Sequence, residues 1–312
     1  IISEYGPYPA WKNSTAKYYP CGEAMYPDLL ADLEKAERFI FLEFFIVRTG
    51  KMWKGVEDIL VRKAAQGVDV RLIYDDFGSL LGLPSDFVVQ MERAHIRCIP
   101  FNPVVPLVSL VMNHRDHRKI VVVDGNTAYT GGINLADEYI NEEERFGYWK
   151  DAALRTEGAA VWNFTVMFLD HWNAFRPSEE DYAPFMPQAE SLSAQSDGVI
   201  QPTGQPAGRR GSGRDGLPEY HQSGPAVRLY LYALLRGGRD HAGSPQGGGK
   251  AGRGRPAGAA GHPGQEAHLP ADPLLLCAAA PGRGCASTEF TPGFLHAKCY
   301  VSDDRAAVGG SI

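Results

Sequence analysis

One long pattern occurs twice in this chain and constrains its fold more than any other feature. "HRKIVVVDGNTAYTGGIN" supplies His117, Lys119, Asp124, Gly131, Gly132 and Asn134, and "HAKCYVSDDRAAVGGSI" supplies His296, Lys298, Asp303, Gly310 and Ser311. Both fit H-x-K-x4-D-x6-G-[GS], a match too long for chance. Residues two apart on a strand face the same side, so each His and its Lys point together at one pocket. Each Asp has the opposite parity from its His. Asp124 precedes Gly125-Asn126 and belongs at a turn. Asp124 and Asp303 therefore join the catalytic set as supporting groups, with turn formation as the competing role. The glycines let backbone approach a ligand or a neighbouring strand. Asn134 and Ser311 offer neutral hydrogen-bond donors beside the pocket.

The flanking sequence alternates helix and strand. "YPDLLADLEKAER" has helical spacing, with Pro27 and Asp28 suited to a first turn. "FIFLEFFIV" reads as a buried strand. "GVEDILVRKAAQG" is a second helix, stopped by Gly67. "VDVRLIYDD" is a strand, "SDFVVQMERAH" a helix and "IRCIPFNP" extended. The first motif forms two strands around Asp124-Gly125-Asn126. "DAALRTEG" is a strand and "AAVWNFTVMFLDHWNAF" a helix. Such alternation is an α/β layer pattern.

The chain divides into residues 1–200, 201–287 and 288–312. In the middle part the composition changes. Of 35 glycines, 19 lie between Gly204 and Gly284, and no Ile, Phe, Asn, Met or Trp occurs from Gln201 to Glu289. A disordered linker is one reading, but "AVRLYLYALL" and "ADPLLLCAAA" are unusual in a linker. The favoured reading is an out-of-frame segment, because "LPEYHQSG", "LYLYALL" and "TGQPAGRRG" each become ordinary protein sequence after the same one-nucleotide shift. The chain begins without Met at Ile1 and stops at Ile312, so it is read as a fragment.

Two His and two Lys suit a phosphodiester. One imidazole attacks phosphorus, and the other protonates the leaving alkoxide and then activates the incoming hydroxyl. The lysines stabilise charge on the non-bridging oxygens. No metal or cofactor is required. His114 and Asp116 beside His117 could suggest a metal, but the second motif has Phe294 and Leu295 on that side. Glu43, in an apolar strand, either orients a catalytic His or forms a structural ion pair. Asp75 and Asp76 end a strand, as site residues or helix caps. His171 and Trp172 read as helix packing, and "VVPLVSLVM" either packs in a core or touches lipid. A formal net charge of -6 gives no basic excess to hold nucleic acid. The five scattered cysteines form no metal or disulfide spacing, which fits a reducing, cytosol-facing setting. No apolar run approaches the ~20 residues that span a bilayer.

The paired motifs resemble the phospholipase D superfamily. The stretches "NSTAKYYPCGEAMYPDLLADLEKAERFIFLEFFIV", "GKMWKGVEDIL", "GVDVRLIYDDFGS", "GGINLADEYI", "YWKDAALRTEG" and "TPGFLHAKCYVSDD" resemble bacterial cardiolipin synthases. The resemblance implies two similar mixed-sheet α/β half-domains with the active site between them, the second incomplete here. It implies transfer of a phosphatidyl group between two phosphatidylglycerols at an anionic bacterial membrane, on its cytoplasmic side, giving cardiolipin and glycerol. It makes His117 the nucleophile and His296 the general acid/base, or the reverse. Lys119 and Lys298 bind phosphate, with Asn134, Gly132, Ser311 and Glu43 around the substrate. A phosphodiesterase of the same superfamily is the alternative. A damaged second half would leave His296 with nothing to hold it opposite His117, so the literal chain is expected to be inactive.

Overall fold

The computed structural model describes residues 8–103, 115–177, 180–188, 192, 196, 198–204, 232–236, 290–302 and 306–310. Expectations for "VVPLVSLVM", His114, Asp303, Ser311 and most of 201–287 lie outside these residues. The elements below belong to one compact unit of residues 1–238 and 292–312; the second unit, 239–291, is described only at its last two residues.

In chain order the elements are β1 (Ser14–Tyr19), α1 (Gly22–Glu34), β2 (Phe39–Phe44), α2 (Lys51–Ala65), β3 (Asp69–Asp75), α3 (Asp76–Ser79), α4 (Phe87–Arg93) and β4 (Arg97–Phe101). There follow β5 (Ile120–Val123), β6 (Thr127–Gly131), β7 (Tyr148–Lys150), β8 (Ala153–Gly158), α5 (Val161–Phe175) and β9 (Pro202–Thr203). The last are β10 (Tyr232–Arg236), β11 (Gly293–Leu295), β12 (Cys299–Ser302) and β13 (Ala306–Gly310).

A seven-stranded mixed sheet runs β1-β8-β6-β5-β2-β3-β4. β2, β3 and β4 are parallel neighbours, whereas β5, β6, β8 and β1 join antiparallel. All six residues of β2 are buried because helices cover both faces of the sheet. Ile40, Leu42 and Phe44 face α1 and α2, where Leu29, Leu33, Trp53, Val56 and Leu60 close one core. Phe39 and Phe41 face α5, where Phe164, Met167 and Phe168 close the other. Strand alternation thus assigns Glu43 to the α5 side.

Two local expectations are corrected or sharpened. α1 starts at Gly22, so Pro27 lies inside the helix rather than in its first turn. The proline ring forgoes one intrahelical hydrogen bond there, a loss that packing of Met25, Leu29 and Leu33 overrides. The β5–β6 turn does use Asp124 and Gly125, both left-handed at φ +54° and +71°.

Smaller sheets bring in the end of the chain. β10 lies between β9 and β13, and β12 pairs with β13. β11 runs parallel to β7, with Gly293, Phe294 and Leu295 opposite Tyr148, Trp149 and Lys150.

Candidate active site

His117 and Lys119 immediately precede β5, and their shared parity aims both at the α1/α2 side of the sheet, as the motif spacing predicts. Lys119 Nζ lies 3.0 Å from His117 Nδ1 and donates to the His117 carbonyl at 2.6 Å. The Phe45 ring packs on His117 with centroids 4.7 Å apart. Lys119 is only 2% exposed, and its amine is held well below the usual lysine range by burial and by the Lys298 cation.

The second motif meets the first. The His117 and His296 rings stand 6.5 Å apart, inclined at 58°. His296 N–H donates to the Lys150 carbonyl at 2.7 Å, and His296 Nδ1 lies 2.7 Å from Asp151 Oδ2. Phe294, Trp149 and Tyr139 surround the His296 ring. Lys298 hydrogen-bonds the His296 carbonyl, repeating the Lys119–His117 arrangement. The expectation that nothing holds His296 opposite His117 is therefore overturned: residues 147–151 of the first half hold it, through the β11–β7 pairing and the Asp151 carboxylate.

The two imidazoles differ electrostatically. Burial, then the Lys119 and Lys298 cations, push His117 down to about 3. Burial also lowers His296, but Asp151 pulls in the opposite direction. Burial lowers Lys298 to about 8. A neutral ring among cations faces a ring braced by a carboxylate, the kind of asymmetry that separates a nucleophile from an acid.

Asp151 was not singled out from the sequence. It lies 145 residues from its histidine, and the only trace of it is an acid at the start of "DAALRTEG". Gly132 owes its identity to it: a Cβ there would come within 2.0 Å of Asp151 Oδ1. Gly131, at φ +154°, lies against Ala152 O in the same way.

Other expected site residues have different roles. Asp124 sits at the far end of β5 from His117, and its carboxylate accepts from the backbone N–H of Glu37, Arg38 and Phe39. It is a scaffold residue and not part of the reacting set. Asn134 is fully buried; it accepts from Ile46 N–H and donates to the Tyr139 hydroxyl at 2.7 Å, so it positions Tyr139 instead of presenting a donor to substrate. Asp75 caps α3 by accepting from Gly78 N–H and also accepts from Asp116 N–H.

Glu43 neither touches substrate space nor orients His117. Asp116 and Arg118, alternating with His117 and Lys119, point to the α5 side. There Arg118 Nε lies 2.9 Å from both Glu43 Oε1 and Asp116 Oδ1, and His171 Nδ1 lies 2.8 Å from Glu43 Oε1. His171 is thus a hydrogen-bond partner of Glu43 as well as a packing residue. Burial raises the Glu43 carboxyl. It would raise Asp116 too, but Arg118 and His171 hold that carboxyl below the usual range. Glu43, Asp116 and His171 have metal-ligand spacing, but the Arg118 guanidinium already supplies the cation between the two carboxylates. The cluster therefore reads as a clamp on the residues flanking His117.

This mixed sheet, with its paired histidines and lysines, is that of a phospholipase D-like half-domain. Residues 29–151 match the family described as "Cardiolipin synthase, PLD-like domain". An uncharacterised protein of Streptococcus mutans is 37% identical over 98% of this chain and 66% of its own length. Cardiolipin synthase 2 of Bacillus anthracis is 35% identical over 58% of this chain, which corresponds to 35% of that enzyme. Phosphatidylserine synthase of Haemophilus influenzae aligns with a TM-score of 0.43 at 14% identity, over 62% of this chain and 44% of that one. Residues 29–151 therefore carry a phospholipase D-like domain of the cardiolipin synthase kind. The matched part spans about a third of the length of the cardiolipin synthase from Bacillus anthracis.

Proposed function

We propose that this site transfers a phosphatidyl group between two phosphatidylglycerol molecules. The observation that carries the reading is His296, braced by Asp151, standing 6.5 Å from His117 across a space lined by two lysines. A phosphorus between the rings lies within near-attack reach of both, at about 3 Å. His117, kept neutral, attacks phosphorus through whichever ring nitrogen carries no proton. The P–O bond to glycerol breaks as His296 gives its proton to the leaving oxygen. His296 then takes the proton of a second phosphatidylglycerol hydroxyl, which attacks phosphorus, releases His117 and forms cardiolipin. Lys119 and Lys298 stabilise the charge on the non-bridging oxygens.

On this reading the protein works at the cytoplasm-facing surface of the bacterial membrane, with anionic phosphatidylglycerol as donor and acceptor. The net charge of -6 weighs against a nucleic-acid diester. Incubation with phosphatidylglycerol vesicles tests the proposal. Cardiolipin and glycerol appearing in equal amounts support it; phosphatidic acid without cardiolipin replaces transfer by hydrolysis.

A further inference from the structure

The cluster beneath His117 holds more negative than positive charge. Glu43, Asp116 and His171 are 0%, 7% and 3% exposed, and they meet one guanidinium, that of Arg118. Two carboxylates against one cation leave the cluster neutral only if it contains one further proton. An uncompensated charge at such depth is strongly disfavoured. The charged and titratable groups around the cluster do not remove the imbalance. Tyr8 and Asp170 lie on the α5 side, Asp75 of β3 accepts from Asp116 N–H and is itself matched by Arg115, and Lys119 acts only from the opposite face of the sheet.

The hydrogen bonds locate the missing proton. Glu43 Oε1 lies 2.9 Å from Arg118 Nε and 2.8 Å from His171 Nδ1. Asp116 Oδ1 accepts from the Arg118 backbone N–H at 3.2 Å and from Arg118 Nε–H at 2.9 Å. The remaining oxygens, Glu43 Oε2 and Asp116 Oδ2, are buried and have no donor. The two carboxyl groups lie together, each with an oxygen in a set of atoms within 4.8 Å of one another. Carboxylates so placed retain one proton between them. His171 is the other group able to carry it, but a proton on that ring leaves both outer oxygens without a donor. Burial pushes the Glu43 carboxyl up to about 7, whereas Arg118 and His171 hold Asp116 below the usual range against the effect of burial, so Glu43 is the member that carries the proton.

We propose that Glu43 and Asp116 share one proton, and that this proton latches the strand bearing the nucleophile. With it the cluster is neutral and ties β2, the approach to β5 and α5 together, Glu43 standing opposite Ile120 in the β2–β5 ladder. Without it two like charges face each other beneath His117, and the strand loosens. The inference goes beyond the choice of substrate and holds whichever diester the site takes. The sign follows from the raised Glu43 value: the stabilisation is complete below the unfolded value of about 4.3 and is lost as pH rises through about 7. Infrared spectra of the full chain, with glutamate side chains labelled at Cδ with carbon-13, test the proton. The expected result is a carboxylic-acid carbonyl band that shifts with the label, fades as pH rises through about 7 and is absent from Glu43→Gln. Deuterium uptake over residues 117–123, corrected for intrinsic exchange, tests the latch. Uptake by the wild type relative to Glu43→Gln should rise about tenfold per pH unit and level off above the Glu43 value. Taking the ratio cancels His117, whose lowered value acts in the opposite sense in both proteins. No label-sensitive acid band overturns the shared proton, and the labelled wild type decides this even if Glu43→Gln fails to fold. Uptake that changes equally in both proteins overturns the latch. A chain that turns over no diester would sink the catalytic reading and leave both results standing.

Discussion

Asp151 Oδ2 lies 2.7 Å from His296 Nδ1, so a carboxylate from the first half of the chain orients the histidine of the second motif. The carboxylate fixes which ring nitrogen carries the proton and raises proton affinity against the effect of burial. Asp151→Asn should lower kcat/KM by about 10²–10⁴-fold, as loss of an orienting carboxylate does elsewhere. The sign of the pH effect follows from the same contact. Without the carboxylate His296 loses its proton at lower pH, so the alkaline limb of the pH–rate profile should move to lower pH. A limb that stays in place removes Asp151 from the chemistry.

The division of labour between the histidines has its own test. A p-nitrophenolate leaving group needs no proton, so His296→Ala should retain substantial initial release from a p-nitrophenyl phosphodiester while losing about 10²–10⁴-fold on a lipid. His117→Ala should lose both. The reverse pattern exchanges the two roles.

Gly132→Ala places a methyl group where Asp151 Oδ1 now lies. The carboxylate must turn away from His296. Activity should fall towards that of Asp151→Asn, and the double variant should be little worse than either single one. Independent, multiplying losses would mean that the two residues act separately.

Asp124→Ala and Glu43→Ala should act on stability. Removing the acceptor of three backbone amides at Asp124 is expected to cost about 3 kcal/mol in denaturant unfolding, with kcat per folded molecule kept. Glu43→Ala leaves Arg118 with half its partners in a buried cluster and should cost about 3–5 kcal/mol. An unaltered unfolding midpoint for either would remove the scaffold role given to it.

Spacing made one part of this site readable. His117 and Lys119 share a face because strand parity requires it, and "FIFLEF" announces a strand covered on both sides. Contacts that depend on the tertiary fold were not readable. Asp151 carries no local pattern, and its meaning arises only when β11 reaches β7. Asn134 stands two residues past the repeated pattern, and its partners are Ile46 and Tyr139. Glu43 announced a buried charge, but only the register of β2 with β5 and the position of α5 decide that Arg118 pairs with it and His171 hydrogen-bonds it. The expected inactivity assumed that nothing would hold His296, whereas residues 147–151 of the first half hold it.

The β11–β7 ladder brings together, at the reaction centre, residues more than 140 apart in the chain. The entropy of such a closure grows only with the logarithm of the loop, so doubling the intervening sequence costs about 0.6 kcal/mol. The site is therefore modular: the piece bearing His296 is recognised by an edge and a carboxylate, not delivered by a connection of set length. A separate peptide covering Pro292–Gly310, added to a chain ending before it, should restore activity at a concentration that substitutes for the lost covalent link.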